Sequence, residues 1–218
     1  MRRLGMLVIV AAMVLPAVAS AYTGSLLSTD YGLLGTGNWI VEGPTSLAWV
    51  VTQNADDSWH YAYELHHPHG PASHFLVEVS DNFGIGDIFN VTGDYTTYHL
   101  RQYYTGEGAT ADMPDDLYGI KFDGGPGGIT NIAFDSFRVP VWKDFFARDG
   151  NADDGANRVW NAGFTQFDTD PTAAAADGSV DFHILAPDSQ TPPIPEPSTL
   201  LLLGSGLLGS VAYFRRRR

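Results

Sequence analysis

Between Tyr22 and Pro193 no stretch sustains the helical period for three turns, and several short stretches alternate apolar and polar residues with a period of two. Leu47, Ala48, Trp49, Val50, Val51 and Thr52 form a continuous run of the kind found in a buried strand. Trp59, Tyr61, Tyr63 and Leu65 alternate with His60, Ala62 and Glu64, which places four large apolar side chains on one face of the next strand. After an expected loop over residues 66–71, Phe75, Val77 and Val79 repeat the alternation. Further strands are expected over 96–104, 117–123, 129–137 and 159–164, with a short one within 87–92 and a closing one over 180–186. Residues 139–148 are strongly aromatic, and 149–155 read as a turn. Gly124, Gly125, Pro126, Gly127 and Gly128 separate two of these strands and predict a hairpin. Many short strands with closely spaced turn signals predict a mainly β chain, an antiparallel β-sandwich over residues 22–189.

The two ends have a different pattern. Arg2 and Arg3 precede an apolar run from Leu4 to Leu15, and Ala19-Ser20-Ala21 forms a small-residue cleavage pattern, with Ala17-Val18-Ala19 as a second. This is the layout of a secretory signal peptide over residues 1–21, with the mature chain expected to start at Tyr22. At the other end, residues 190–197 are proline-rich and predict a stiff, extended linker. A second apolar run follows over 198–214, and Arg215, Arg216, Arg217 and Arg218 close the chain. That run of about 15 to 17 residues would span roughly 22–25 Å as a helix. A bilayer core is about 30 Å thick, so a transmembrane helix here is short and relies on arginine snorkelling. The arginines are expected to stay cytoplasmic, leaving the rest of the chain outside the inner membrane.

Pro195, Glu196 and Pro197, the apolar run directly behind them and the terminal arginines resemble, in order and spacing, the PEP-CTERM protein-sorting signal of Gram-negative bacteria. The resemblance implies that an exosortase, a membrane-embedded peptidase of cysteine-transpeptidase type, reads Pro195-Glu196-Pro197 and cleaves nearby. It also implies transient residence in the inner membrane before transfer to the cell surface or exterior. The body of the chain is similar to the β-rich ectodomains common among such proteins, a likeness that brings no defined activity.

Composition narrows the field of partners. All 25 Asp and Glu lie between the signal peptide and the C-terminal apolar run, whereas six of the twelve Lys and Arg are at Arg2, Arg3 and residues 215–218. The intervening chain therefore carries a formal charge of −19 with His neutral, which excludes nucleic acid as a partner and favours solubility and cation binding. No cysteine is present, so disulfides, thiolate metal sites and thiol catalysis are all excluded.

Chemistry-bearing residues occur in three groups. His66, His67, His69 and His74 cluster around the expected loop, and His66 and His69 are candidate metal ligands. Asp149, Asn151 and Asp153 begin like a calcium loop, but Asp154 and Trp160 stand where that loop needs glycine and glutamate, so a hairpin turn of solvated acids is the simpler expectation. His60 and Glu64 share a strand face without a nucleophile beside them. The five tryptophans and ten tyrosines could form a sugar-stacking platform, although most are expected in the core. The sequence thus predicts a non-enzymatic, exported surface protein of structural or adhesive type, without a cofactor beyond weak calcium. The alternatives are a polysaccharide-binding module and a metal-assisted hydrolase.

Overall fold

A computed structural model describes residues 20–110, 112–150, 157–165 and 169–188. The expected signal peptide up to Ala19, the proline-rich linker, the transmembrane segment and the arginines lie outside the described residues. The strands are β1 (Ala21–Leu27), β2 (Leu33–Thr36), β3 (Ser46–Gln53), β4 (Trp59–Pro71), β5 (His74–Glu78), β6 (Phe89–Gly93) and β7 (Thr97–Tyr103). They continue with β8 (Leu117–Asp123), β9 (Gly127–Ser136), β10 (Pro140–Lys143), β11 (Phe145–Arg148), β12 (Arg158–Asn161) and β13 (Ile184–Pro187). One short helix, α1 (Asn38–Val41), lies between β2 and β3.

Every strand pairing is antiparallel. A five-stranded sheet has the order β1-β3-β4-β9-β6, a six-stranded sheet the order β2-β12-β11-β5-β8-β7, and β10 pairs with β13 on its own. The two larger sheets face each other across a common core. Trp49, Val51, Tyr61, Tyr63, Ile132 and Phe134 come from the first, and Phe75, Val77, Ile120, Phe122, Phe145 and Val159 from the second. Rings from opposite sheets meet directly, Tyr63 with Phe75 and Phe122 with Phe134, each pair with centroids 6.0 Å apart. Such pairs add to the burial of each side chain, itself roughly 1.5–3 kcal/mol. The β10–β13 pair is tied to this core through Tyr63 Oη, which donates to Leu185 O at 2.8 Å. On the outer face of the six-stranded sheet, Met113 from the β7–β8 connection and Phe164 cover Leu76, Leu117 and Phe146.

The period-two expectations hold where they were strongest: Trp59, Tyr61, Tyr63 and Leu65 are all buried. Two expectations are overturned. Residues 66–71 are not a loop, because β4 runs on to Pro71, and His67 continues the inward alternation. Beyond His66 the strand loses β3 as a partner, and its register against β9 shifts before Pro71, so Pro68 costs no ladder hydrogen bond there. β1 includes Ala21, which pairs with Thr52, and Ser20 O accepts from Gln53 N at 2.8 Å, so the strand begins one residue before the mature start expected at Tyr22.

The second correction concerns the glycine-rich segment. β8 and β9 do not pair with each other; β8 belongs to the six-stranded sheet and β9 to the five-stranded one. Residues 124–126 cross between the layers beside the connection from β4 to β5. Gly124 N donates to Ser73 O at 3.0 Å and Ala72 N to Pro126 O at 3.1 Å. A Cβ on Gly125 would lie 2.6 Å from Ala72 O, so the two crossings approach closely only because that position is glycine. A run of glycines permits a return within a sheet and a step between sheets equally well. The choice is made by which faces of Phe122 and Phe134 have to be covered.

Truncation of a ring that joins the two layers should therefore cost far more than truncation on the outer face. Phe134→Ala is expected to destabilise by about 3–5 kcal/mol, and Val50→Ala on the exposed side of β3 by no more than about 0.5 kcal/mol. Urea unfolding of the two variants checks this, and equal shifts in midpoint would contradict a core shared by the sheets.

Candidate functional site

The chain leaves the β10–β13 pair and enters the six-stranded sheet at Asp144, the residue between β10 and β11. This change of sheet collects polar groups from distant parts of the sequence. Asp144 N donates to Glu78 Oε2 at 3.1 Å, and Glu78 N to Asp144 O at 2.9 Å. Asn161, at the end of β12, accepts from Phe145 N at 2.9 Å and donates to Asp144 Oδ1 at 2.5 Å. Lys143 Nζ bridges Asp170 Oδ2 at 2.5 Å and Glu78 Oε1 at 3.3 Å. His183, fully buried just before β13, places Nε2 3.5 Å from Asp144 Oδ1.

Electrostatics follow from this crowding. Burial pushes the Glu78 carboxyl up to about 7; Lys143 opposes the shift, and Asp170 and Asp144 add to it. Burial also works against the Lys143 charge, but Glu78 and Asp170 outweigh it and hold the ammonium above its ordinary value. One potential ligand atom each from Asp144, Asp170 and His183 lies within 4.8 Å of the other two. None of these three stood out in the sequence. The one signal was Asp144, a lone carboxylate inside an aromatic run, and its partners arrive only through folding.

The residues that did stand out are dispersed. His66 is exposed, 3.9 Å from Glu64, and His69 is exposed, its carbonyl accepting from Trp39 Nε1 at 2.5 Å. His74 turns to Asp123 at 2.9 Å, so the histidine cluster does not converge. His60 pairs with Asp135 at 2.7 Å rather than with Glu64, and Asn90 Nδ2 holds the other Asp135 oxygen at 2.7 Å. Asp149 is only 4% exposed, which corrects the expectation of a solvated acid. Its Oδ2 accepts from Asn157 Nδ2 at 2.6 Å, while Asn151 and Asp153 lie outside the described residues. The tryptophans form no exposed row: Trp39, Trp49, Trp59 and Trp142 are buried in the core, and Trp160 is half-buried.

His67 faces the Trp39 ring with centroids 4.4 Å apart, and burial holds its imidazole below the ordinary histidine range. Burial and then Lys121 do the same for His74. Both groups bind protons more readily when the chain unfolds. Their contribution to stability is present above the unfolded value of about 6.5 and is lost as pH falls through the lower folded values. The urea midpoint of the wild type should therefore fall more steeply between pH 7 and pH 5 than that of His67→Gln. Parallel profiles would refute the assignment.

No curated protein and no solved structure matches the chain at a significant level. The PEP-CTERM protein-sorting motif does match, over residues 193–218. That segment contains Pro195, Glu196, Pro197 and Arg215 to Arg218, all outside the described residues. Among the described residues no helix is long and apolar enough to cross a membrane. The motif implies export and membrane-associated sorting of an exosortase-targeted surface protein, and the chain carries that motif over residues 193–218.

Proposed function

We propose that this is a non-enzymatic, exported protein with a structural or adhesive role at the cell surface or in the extracellular matrix of a biofilm. The match of the sorting motif to residues 193–218 carries the reading. In this reading a signal peptide directs the chain across the inner membrane, and the apolar run over 198–214 holds it there with Arg215 to Arg218 in the cytoplasm. Pro195-Glu196-Pro197 is then the segment outside the bilayer that the exosortase reads. The β-sandwich over residues 22–189 is the delivered cargo. Its large aromatic core supports a role that depends on a persistent fold, since no disulfide reinforces it.

Polysaccharide binding is the second reading. A shallow depression of about 410 Å³ on the outer face of the five-stranded sheet, lined by Ala48, Val50, Ala62 and Ala133 with Glu64 and Asn131 at its side, supports it. Small side chains leave room for a sugar chain lying across the strands, and the two polar residues supply hydrogen bonds.

Intact-mass analysis of the surface fraction tests the sorting. With active exosortase, the exported protein should lack Arg215 to Arg218. It should begin at Tyr22, after the Ala19-Ser20-Ala21 pattern. Surface protein that still ends in the arginines would overturn the processing, and a start at Ser20 would overturn the cut after Ala21 in favour of the Ala17-Val18-Ala19 pattern.

A further inference from the structure

We infer that Lys143 and Asp170 become joined by an isopeptide bond between the lysine Nζ and the aspartate Cγ, formed by the folded chain itself with Glu78 as proton carrier. The bond is independent of the sorting motif. It gives a covalent cross-link to a chain that has no cysteine.

Three groups from separate segments meet at this point. The chain has only two lysines, Lys121 and Lys143. Lys143 Nζ lies 2.5 Å from Oδ2 of Asp170, 27 positions further along the chain, and 3.3 Å from Glu78 Oε1. An amine, a carboxyl that can acylate it and a second carboxyl that can move protons are thus held in mutual reach. Glu78 Oε2 accepts from Asp144 N at 3.1 Å, which turns Oε1 toward Nζ. Only 13% of the Lys143 side chain is open to solvent, so most competing water is kept from the amine. Lys143 also lines, with Glu78 and Ser80, a depression of about 380 Å³ through which a released water can leave. Lys121 provides the contrast. Its Nζ pairs with Asp123 at 2.9 Å, two residues away on the same strand, and meets no second carboxylate among the described residues.

The Lys143–Asp170 ion pair is the reactant. A proton passes from the ammonium to Asp170 Oδ2, leaving an amine beside a carboxylic acid. The Nζ lone pair then forms the bond to Asp170 Cγ. Glu78 Oε1 takes a second proton from Nζ and returns it to the departing Asp170 oxygen. The Cγ–O bond breaks with its electron pair on oxygen, and one water leaves. One ammonium and one carboxylate become one amide and one water; Glu78 ends as it began, and no other reactant is consumed. Burial of Glu78, which raises its carboxyl to about 7, suits it to accept and return a proton near neutrality. The charged form of Lys143 is favoured at rest, so the neutral pair that reacts is the minor one. A step needed once per molecule tolerates this, because the fold keeps the reacting groups in contact. The bond ties the end of β10 to the segment after β12 and, like a disulfide, constrains the unfolded chain.

The test uses the full chain, produced in a host without exosortase so that sorting has no bearing on the result, purified in detergent and digested with trypsin. Tandem mass spectrometry of the wild type should show cleavage after Lys121 and none after Lys143. Residues 139–148 should be linked to the peptide that carries Asp170, one water lighter than the two together. Lys143→Arg keeps the charge and should give no linked peptide, with wild-type circular dichroism and a lower urea midpoint. Glu78→Gln keeps an acceptor for Asp144 N and should lower the linked fraction, sampled at a fixed time after synthesis, at least about tenfold. Cleavage after Lys143 in folded wild-type protein, with the Asp170 peptide unlinked, would overturn the bond and leave an ordinary ion pair. An equal linked fraction in Glu78→Gln would overturn the part given to Glu78.

Discussion

Cohesion in this protein depends on two sheets sharing a single aromatic core. With no cysteine, no disulfide contributes to the domain, and the conformational entropy of ordering it has to be offset by burial. Tryptophan, tyrosine and phenylalanine side chains therefore fill the space between the layers, and Tyr63, Phe75, Phe122 and Phe134 link one layer to the other. Large rings suit this task because each removes more area from water than an aliphatic side chain does. The same demand explains why the tryptophans are not displayed for binding: four of the five are buried in the core.

Changing sheets imposes a second requirement. Where the chain passes from the β10–β13 pair to the six-stranded sheet, its backbone groups leave one ladder before joining the next and need other partners. Glu78 and Asn161 meet that need at Asp144 and Phe145, which brings ionisable groups into the interior. Once buried, carboxylates are costly unless paired, so Lys143 and His183 gather around them. The polar cluster is thus a consequence of topology, placed at the end of the core where the strands exchange partners. The sorting motif occupies a separate segment at the C-terminal end, so address and cargo are distinct parts of the chain.

The legible parts of the fold were those with a strictly local signature. Alternation from Trp59 to Leu65 places that face in the core without reference to any other strand. His67 continued the same alternation, but two prolines, a glycine and two further histidines around it suggested a loop. The strand extends there because β9 remains its partner, a fact absent from the local sequence. Gly124 to Gly128 marked a change of direction correctly and left its destination open. The destination was set by the close approach of Gly125 to Ala72 and by the layer that each flanking strand joins.

The sequence by itself determined the sorting address, the mainly β character, the acidic surface and the absence of thiol chemistry, because each depends on residue type or on short-range periodicity. Tertiary structure alone decided which strands share a sheet, which carboxylates are buried and which histidine meets them. Asp144, Asp170 and His183 come from separate segments of the chain, and nothing in the spacing of neighbours encodes their meeting. Proximity of that kind is created by layer packing, where the choice of face for every strand is settled collectively by the core.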